Sequence, residues 1–377
     1  MKIGTAACSR RALLAAGMLG WAAVLGAQTL GDRLAWPKTD FNKRTVNLDE
    51  IESGGPPKDG IPAIDRPRFV GTRPARGWLG PKEPVIVLRI ARETRAYPIQ
   101  ILTFHEIVND TVAGVPVTVT FCPLCNSSIV FDRRVAGRVL DFGTTGRLRY
   151  SDLVMYDRQT ESWWQQLTGK GIVGHYAGTE LARLPSEIVA FEEFAKAYPA
   201  GLVLSRETGH ARPYGRNPYA GYDRIDQSPF LFSSAVDRRL PPMERVLSVS
   251  VAGRHRLYPM TLLEKHPLAN RELAGVPYVV FAKSGMASPL DSSRISEGRP
   301  IVAATAFDRR LDGSVLEFRA LGARYVDAAT GSEWNILGEA VAGLLKGKRL
   351  AQLDSGVHFA FAWLAFNPDS EIVRSLP

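Results

Sequence analysis

Tyr97-Pro98, His105, Asn109 and Gly114-Val115-Pro116 return as Tyr258-Pro259, His266, Asn270 and Gly275-Val276-Pro277 at one constant offset. The match then continues in order. Phe131-Asp132-Arg133-Arg134 has its counterpart in Phe307-Asp308-Arg309-Arg310, and Leu140-Asp141-Phe142 in Leu316-Glu317-Phe318. Asp157, Thr160, Ser162 and Trp164 pair with Asp327, Thr330, Ser332 and Trp334. Chance does not keep so many residues in one order, so the chain reads as two copies of one module. The copies occupy residues 85–204 and 245–377. A Pro- and Gly-rich segment, 28–84, precedes the first, and a Tyr- and Arg-containing connector, 205–244, joins them.

Within each copy, β-branched and aromatic runs alternate with Gly-containing turns. Residues 85–90, 115–121, 128–132, 138–142 and 153–156 read as strands in the first copy, and 245–251 and 276–282 in the second. Residues 97–108 carry apolar side chains at Ile101, Phe104, Ile107 and Val108, a helical spacing, with Pro98 suited to a first turn. Short helices over 191–198 and 359–366 close the copies. The predicted class is α+β and β-rich: two tandem copies of one β-sheet or barrel-like module with a few short helices.

A chain of 377 residues, 45% hydrophobic and 23% charged, has ordinary globular composition. It is not a disordered, collagen-like or disulfide-dense sequence. The net charge of +9 includes Lys2, Arg10 and Arg11. Without a dense basic stripe, that excess does not indicate nucleic-acid binding. Those three residues precede and open an apolar run, 12–25, too short for a comfortable membrane span. Residues 1–27 therefore read as an export signal, and Ser9-Arg10-Arg11-Ala12-Leu13-Leu14 is close to a twin-arginine signal. The expected location is periplasmic or extracellular, with an uncleaved anchor as the one membrane alternative.

The sharpest local signal is Phe121-Cys122-Pro123-Leu124-Cys125-Asn126, which follows a predicted strand. Cys8 lies in the signal, so Cys122 and Cys125 are the cysteines of the mature chain. Asn126 stands where a haem-attachment motif needs His, which excludes c-type haem. Two cysteines are too few for an iron–sulfur cluster or an all-thiolate zinc site. Three readings stay open. Cys122 and Cys125 bind zinc or copper together with His105 and a carboxylate such as Glu106 or Asp132. Or they cycle between dithiol and disulfide, with Cys122 the nucleophile. Or they form a structural disulfide.

Comparing the copies separates fold from function. Cys122 and Cys125 align with Lys283 and Met286, so the fold does not need them. His105 aligns with His266, which draws it toward a structural role. Glu106, Asp110, Asp152 and the run Trp163-Trp164-Gln165-Gln166 belong to the first copy as a set. Trp163, Gln165 and Gln166, with Arg147 from Phe142-Gly143-Thr144-Thr145-Gly146-Arg147, are the candidate walls of a cleft for a small ligand. An envelope protein is the alternative partner, bound through the aromatic loops around Tyr214–Tyr222 and Trp163.

The blocks Gly54-Gly55-Pro56-Pro57-Lys58-Asp59-Gly60-Ile61-Pro62, Thr120-Phe121-Cys122-Pro123-Leu124-Cys125-Asn126-Ser127 and Tyr156-Asp157-Arg158-Gln159-Thr160-Glu161-Ser162-Trp163-Trp164 carry a resemblance. They resemble a prokaryotic family of exported proteins known only as a domain of unknown function, over most of residues 50–375. The resemblance implies export and assigns no activity to the cysteine pair.

Overall fold

Strands dominate, and the helices that lie wholly within the described residues are one or two turns long. The structure, a computed structural model, describes residues 34–322 and 324–376; the export segment lies outside the described residues. Three sheets build the first half. One runs in the order Ser186–Ala190, Pro84–Ile90, Glu93–Pro98, Leu202–Leu204, Phe69–Gly71. The second runs Arg183–Leu184, Ser127–Asp132, Val115–Cys122, Ile107–Val112. The third runs Ile51–Ser53, Phe142–Arg149, Asp152–Asp157, Trp163–Gln165, Gly171–Val173.

In the second half the orders are Asp354–Phe359, Arg245–Val251, Arg254–Pro259, Glu371–Ile372, then Leu268–Leu273, Val276–Ala287, Pro300–Asp308, then Phe318–Leu321, Arg324–Asp327, Glu333–Trp334, Ala340–Ala342. Strand for strand, these follow the first half, less some edge strands.

The residues that recur in sequence make recurring contacts. The Asn109 side chain donates to the Phe142 carbonyl at 2.8 Å and accepts from its N–H at 3.1 Å; Asn270 does the same to Phe318 at 2.8 and 3.1 Å. The Asp157 carboxylate accepts from the Thr160 N–H at 2.7 Å and the Trp164 indole at 3.0 Å. Asp327 repeats this with Thr330 at 2.7 Å and Trp334 at 3.1 Å. Arg134 forks onto Asp132, and Arg310 onto Asp308. Buried polar groups need partners; these motif residues supply one another's and hold loops to sheets.

Residues 97–108 are not one helix. Tyr97 and Pro98 end the strand Glu93–Pro98, Ile99–Leu102 makes a single helical turn, and Ile107 and Val108 open the strand Ile107–Val112. Ile99, Ile101, Leu102, Ile107 and Val108 are all fully buried. A stretch buried on every side has no polar face to mark its period, so pairing with Val115–Cys122 decides its conformation. The segment 138–142 also divides: Arg138–Val139 pairs with Arg134–Val135, and Phe142 begins the long strand to Arg149.

That strand carries a bulge between Thr144 and Arg147. The Thr-Thr-Gly run is thus a kink within a strand. Gly146 has φ +71°, and a Cβ there would strike the Pro56 carbonyl oxygen. Gly146 in turn accepts a hydrogen bond from the Gly54 N–H at 2.8 Å. The Gly-Gly-Pro-Pro block therefore docks on the bulge because residue 146 has no side chain.

The halves share their cores. Val85 and Val87 pack in one cluster with Phe281, Phe307 and Trp334. Cys122 and Cys125 lie in another with Val246, Phe359 and Trp363.

Candidate metal centre

Cys122 is the last residue of its strand and pairs with Ser127, so Pro123–Asn126 is a four-residue hairpin loop. Asn126 sits at φ +48°, a conformation Asn tolerates, and its N–H donates to the Pro123 carbonyl at 3.2 Å. This tight turn brings both thiols to one side. The second half holds the loop from behind. The Phe359 N–H donates to the Cys125 carbonyl at 2.9 Å, and His358 Nδ1 lies 3.1 Å from the Ser127 hydroxyl. Both cysteines are buried and free, with no disulfide.

A second hairpin delivers a carboxylate. Arg149 pairs with Asp152 across a two-residue turn in which Tyr150 and Ser151 both have positive φ, 55° and 62°. Two-residue turns of this kind normally use Gly or Asn. Here the surroundings impose them: the buried Ser151 hydroxyl bonds the Phe230 carbonyl. Asp152 is fully buried beside the sulfurs. The two sulfurs and a carboxylate oxygen of Asp152 lie within 4.8 Å of one another. Gln165 Nε2 and the Leu167 N–H donate to its Oδ2 at 2.6 and 2.8 Å, while Oδ1 has no hydrogen-bond partner.

Glu106 adds a fourth acid. It sits at φ +56°, is 8% exposed, and makes no side-chain hydrogen bond among the described residues. Burial raises every one of these groups toward its neutral form. Asp152 is pushed up to about 6 by burial, and Glu106 up to about 8 by burial and then by the charge of Asp152. Burial lifts the Cys122 thiol, and lifts that of Cys125 further with help from Cys122 and Asp152. No described arginine or lysine pairs with Asp152 or Glu106, although ion pairs are numerous elsewhere.

Glu106 lines a cavity of about 570 Å³ together with Leu124, Leu148 and Leu153, while Cys122, Cys125 and Asp152 lie behind its lining residues. The connector between the halves roofs it with Tyr219, Tyr222 and Phe230. The Tyr222 hydroxyl donates to the Leu124 carbonyl at 3.1 Å and accepts from the Phe230 N–H at 3.2 Å, which ties the roof to the cysteine loop.

The expected residues divide. Cys122 and Cys125 come together with Asp152. His105 does not join them: its Nδ1 meets the Pro62 carbonyl and its Nε2 the Tyr214 hydroxyl, both at 2.7 Å. Burial lowers this imidazole to about 4, so it is neutral with both nitrogens engaged. Asp132 is held by Arg134. Arg147 lines the cavity, with its guanidinium 5.1 Å over the Trp163 ring. Trp163 is buried against Trp36 and Phe41, so it does not wall a cleft. Gln165 positions Asp152, and Gln166 donates to the Thr120 hydroxyl at 2.8 Å. Both glutamines are fully buried supports.

Asp152 was legible as a first-copy residue but not as a candidate ligand, since it reaches the sulfurs from a separate hairpin further along the chain. The two halves differ at every position of the cluster. Glu106 and Pro267 occupy one backbone site, each carbonyl accepting a strand N–H, from Phe121 at 2.8 Å and from Ala282 at 2.9 Å. Counted back from Asp157 and Asp327, the place of Asp152 falls on Gly322, in the hairpin turn of the second half, and Lys283 pairs with Glu193 where the first half has Cys122.

A family model described as "Protein of unknown function (DUF3179)" matches residues 58–370. No curated protein and no solved structure matches.

Proposed function

The chain belongs to the DUF3179 family, and from that premise we propose that it is an exported protein built around a transition-metal centre held by Cys122, Cys125 and Asp152. One observation carries this reading: three acidic ligand groups converge in a buried site, and no described arginine or lysine forms an ion pair with them. Ionising such groups in a low-dielectric interior without a compensating cation is unfavourable by several kcal/mol per charge. A divalent ion supplies the missing charge and holds the thiols as thiolates.

Two thiolates with one carboxylate suit zinc better than copper(I), which prefers an all-sulfur set. Three protein ligands leave one position open, the pattern of catalytic rather than structural zinc sites. Glu106, whose charge acts on Cys122, lines the adjoining cavity. The second half supports the reading as a degenerate copy of the first: it keeps the clamps and lacks the ligands.

The alternative of thiol–disulfide exchange is less favoured. Exchange catalysts present an accessible thiol of lowered pKa, whereas both thiols here are buried and raised.

The full-length protein, recovered from a host that exports it and analysed by elemental mass spectrometry, is expected to carry about one metal ion per chain. Cys122→Ser is expected to lose it. Absence of metal in the wild type, or equal content in the variant, overturns the centre. Recovery of the mature protein in the cytosol overturns export.

A further inference from the structure

The cavity above the cluster presents little unspent hydrogen-bonding capacity. The Tyr222 hydroxyl is used by Leu124 and Phe230. The Thr144 hydroxyl donates to the Ile61 carbonyl at 2.7 Å. Arg224 forks onto Asp226, at 2.9 Å for the closer contact. Arg147 on the same wall lies 5.1 Å over the Trp163 ring. Apart from the amide of the exposed Gln227, two polar side-chain groups remain without a hydrogen-bond partner among the described residues. One is the Glu106 carboxyl, nine-tenths buried and on the cavity wall. The other is the Tyr219 hydroxyl, close enough to Glu106 and Cys122 to feel their charges. Beyond them the walls are mainly apolar, with Leu124, Leu148, Leu153 and Phe230 among the lining residues.

This pattern selects a ligand. A cavity of about 570 Å³ takes a ring-sized or longer apolar body. The head group must exchange hydrogen bonds with a buried carboxyl and a phenol at one point. A hydroxyl does both. A carboxylate head would bring a like charge against Glu106, whose own ionisation burial already opposes, and a hydrocarbon would leave both polar groups unpaired when it displaced water. We propose that the cavity binds an apolar phenol or alcohol, its hydroxyl held between Glu106 and Tyr219 and its hydrocarbon body against the leucines and Phe230. The proposal rests on the metal-centre reading for the ligand's direction, hydroxyl toward the ion's open position. The walls and the two polar groups stand without it.

Calorimetric titration of the full chain tests this with p-cresol, 1-hexanol, toluene and 4-methylbenzoate, on samples whose zinc content is measured in parallel. The two hydroxyl compounds are expected to bind at least about tenfold tighter than toluene or the benzoate, and Glu106→Gln or Tyr219→Phe to lose about tenfold of that affinity. Tyr219→Phe keeps the ring, so a loss there reads the hydroxyl and not the fold. Equal binding of toluene, tighter binding of the benzoate, no binding at all, or indifference to both substitutions overturns the proposal. The outcomes separate from those of the metal reading. Metal present with no preference for hydroxyl compounds removes the ligand assignment alone. Hydroxyl-selective binding by metal-free protein that takes up no zinc removes the metal centre alone.

Discussion

Asp152→Asn is expected to reduce bound metal to background and, at the same time, to make the metal-free protein more stable. The side chain is fully buried, with one oxygen satisfied by Gln165 and Leu167 and the other unpartnered. Asparagine keeps the volume and an acceptor for those two donors, but removes the charge. Burial has moved the carboxyl from its ordinary range up to about 6. Near pH 8 the ionised form therefore destabilises the metal-free fold by about 3 kcal/mol, an order-of-magnitude figure from the free energy of each pKa unit. Substitutions of buried, bonded residues usually lower stability. A gain in the presence of chelator would mark Asp152 as a residue kept for something other than folding. Calorimetry in chelator, with metal analysis of the untreated protein, reads both halves. Unchanged metal content, or a metal-free variant less stable than the wild type, contradicts the assignment.

The second large effect is a pH dependence of opposite sense with and without zinc. Asp152 and Glu106 both have folded-state values raised, to about 6 and about 8. Acids raised on folding bind protons more tightly in the native state. Their contribution is fully present below their unfolded values, near pH 4, and is lost as pH rises through 6 and then 8. Metal-free protein should therefore lose on the order of several kcal/mol of stability between pH 5 and pH 8.5. Glu187, pushed up to about 8 by burial and by Glu339, adds to the same slope far from the cluster. Asp152→Asn should then flatten only part of it. Zinc reverses the trend at its own site, because the ligands must lose protons to bind it and affinity grows with pH. The gap in melting temperature between zinc-loaded and chelated protein should widen from pH 6 to pH 8.5. A constant gap, or metal-free stability that rises over this range, contradicts the account.

How far the sequence revealed these features depends on the kind of interaction involved. Strands such as Arg245–Val251 and the closing helices at Phe191–Ala197 and Ala360–Phe366 were readable because local composition matches local structure. The stretch 97–108 was not, because full burial erased its periodicity. The cysteine pair was legible from spacing and from its absence in the second copy. Asp152 was visible only as a difference between copies, and comes beside the sulfurs through the turn at Tyr150 and Ser151 that turns its strand back toward Cys122. Trp163 and Gln165 looked like a polar, aromatic binding wall. In the fold Trp36 and Phe41 cover the ring, and Asp152 engages the amide. Tyr219 carried no sequence signal beyond its place in an aromatic connector, since its role comes from the way that connector crosses the cavity.

X-ray absorption at the zinc edge, on full-length protein loaded with one equivalent of zinc, tests the central claim most directly. The account predicts two sulfur neighbours at about 2.3 Å with the remaining ligands oxygen, and a first shell without imidazole. A shell lacking sulfur, or one with a histidine scattering pattern, would contradict it.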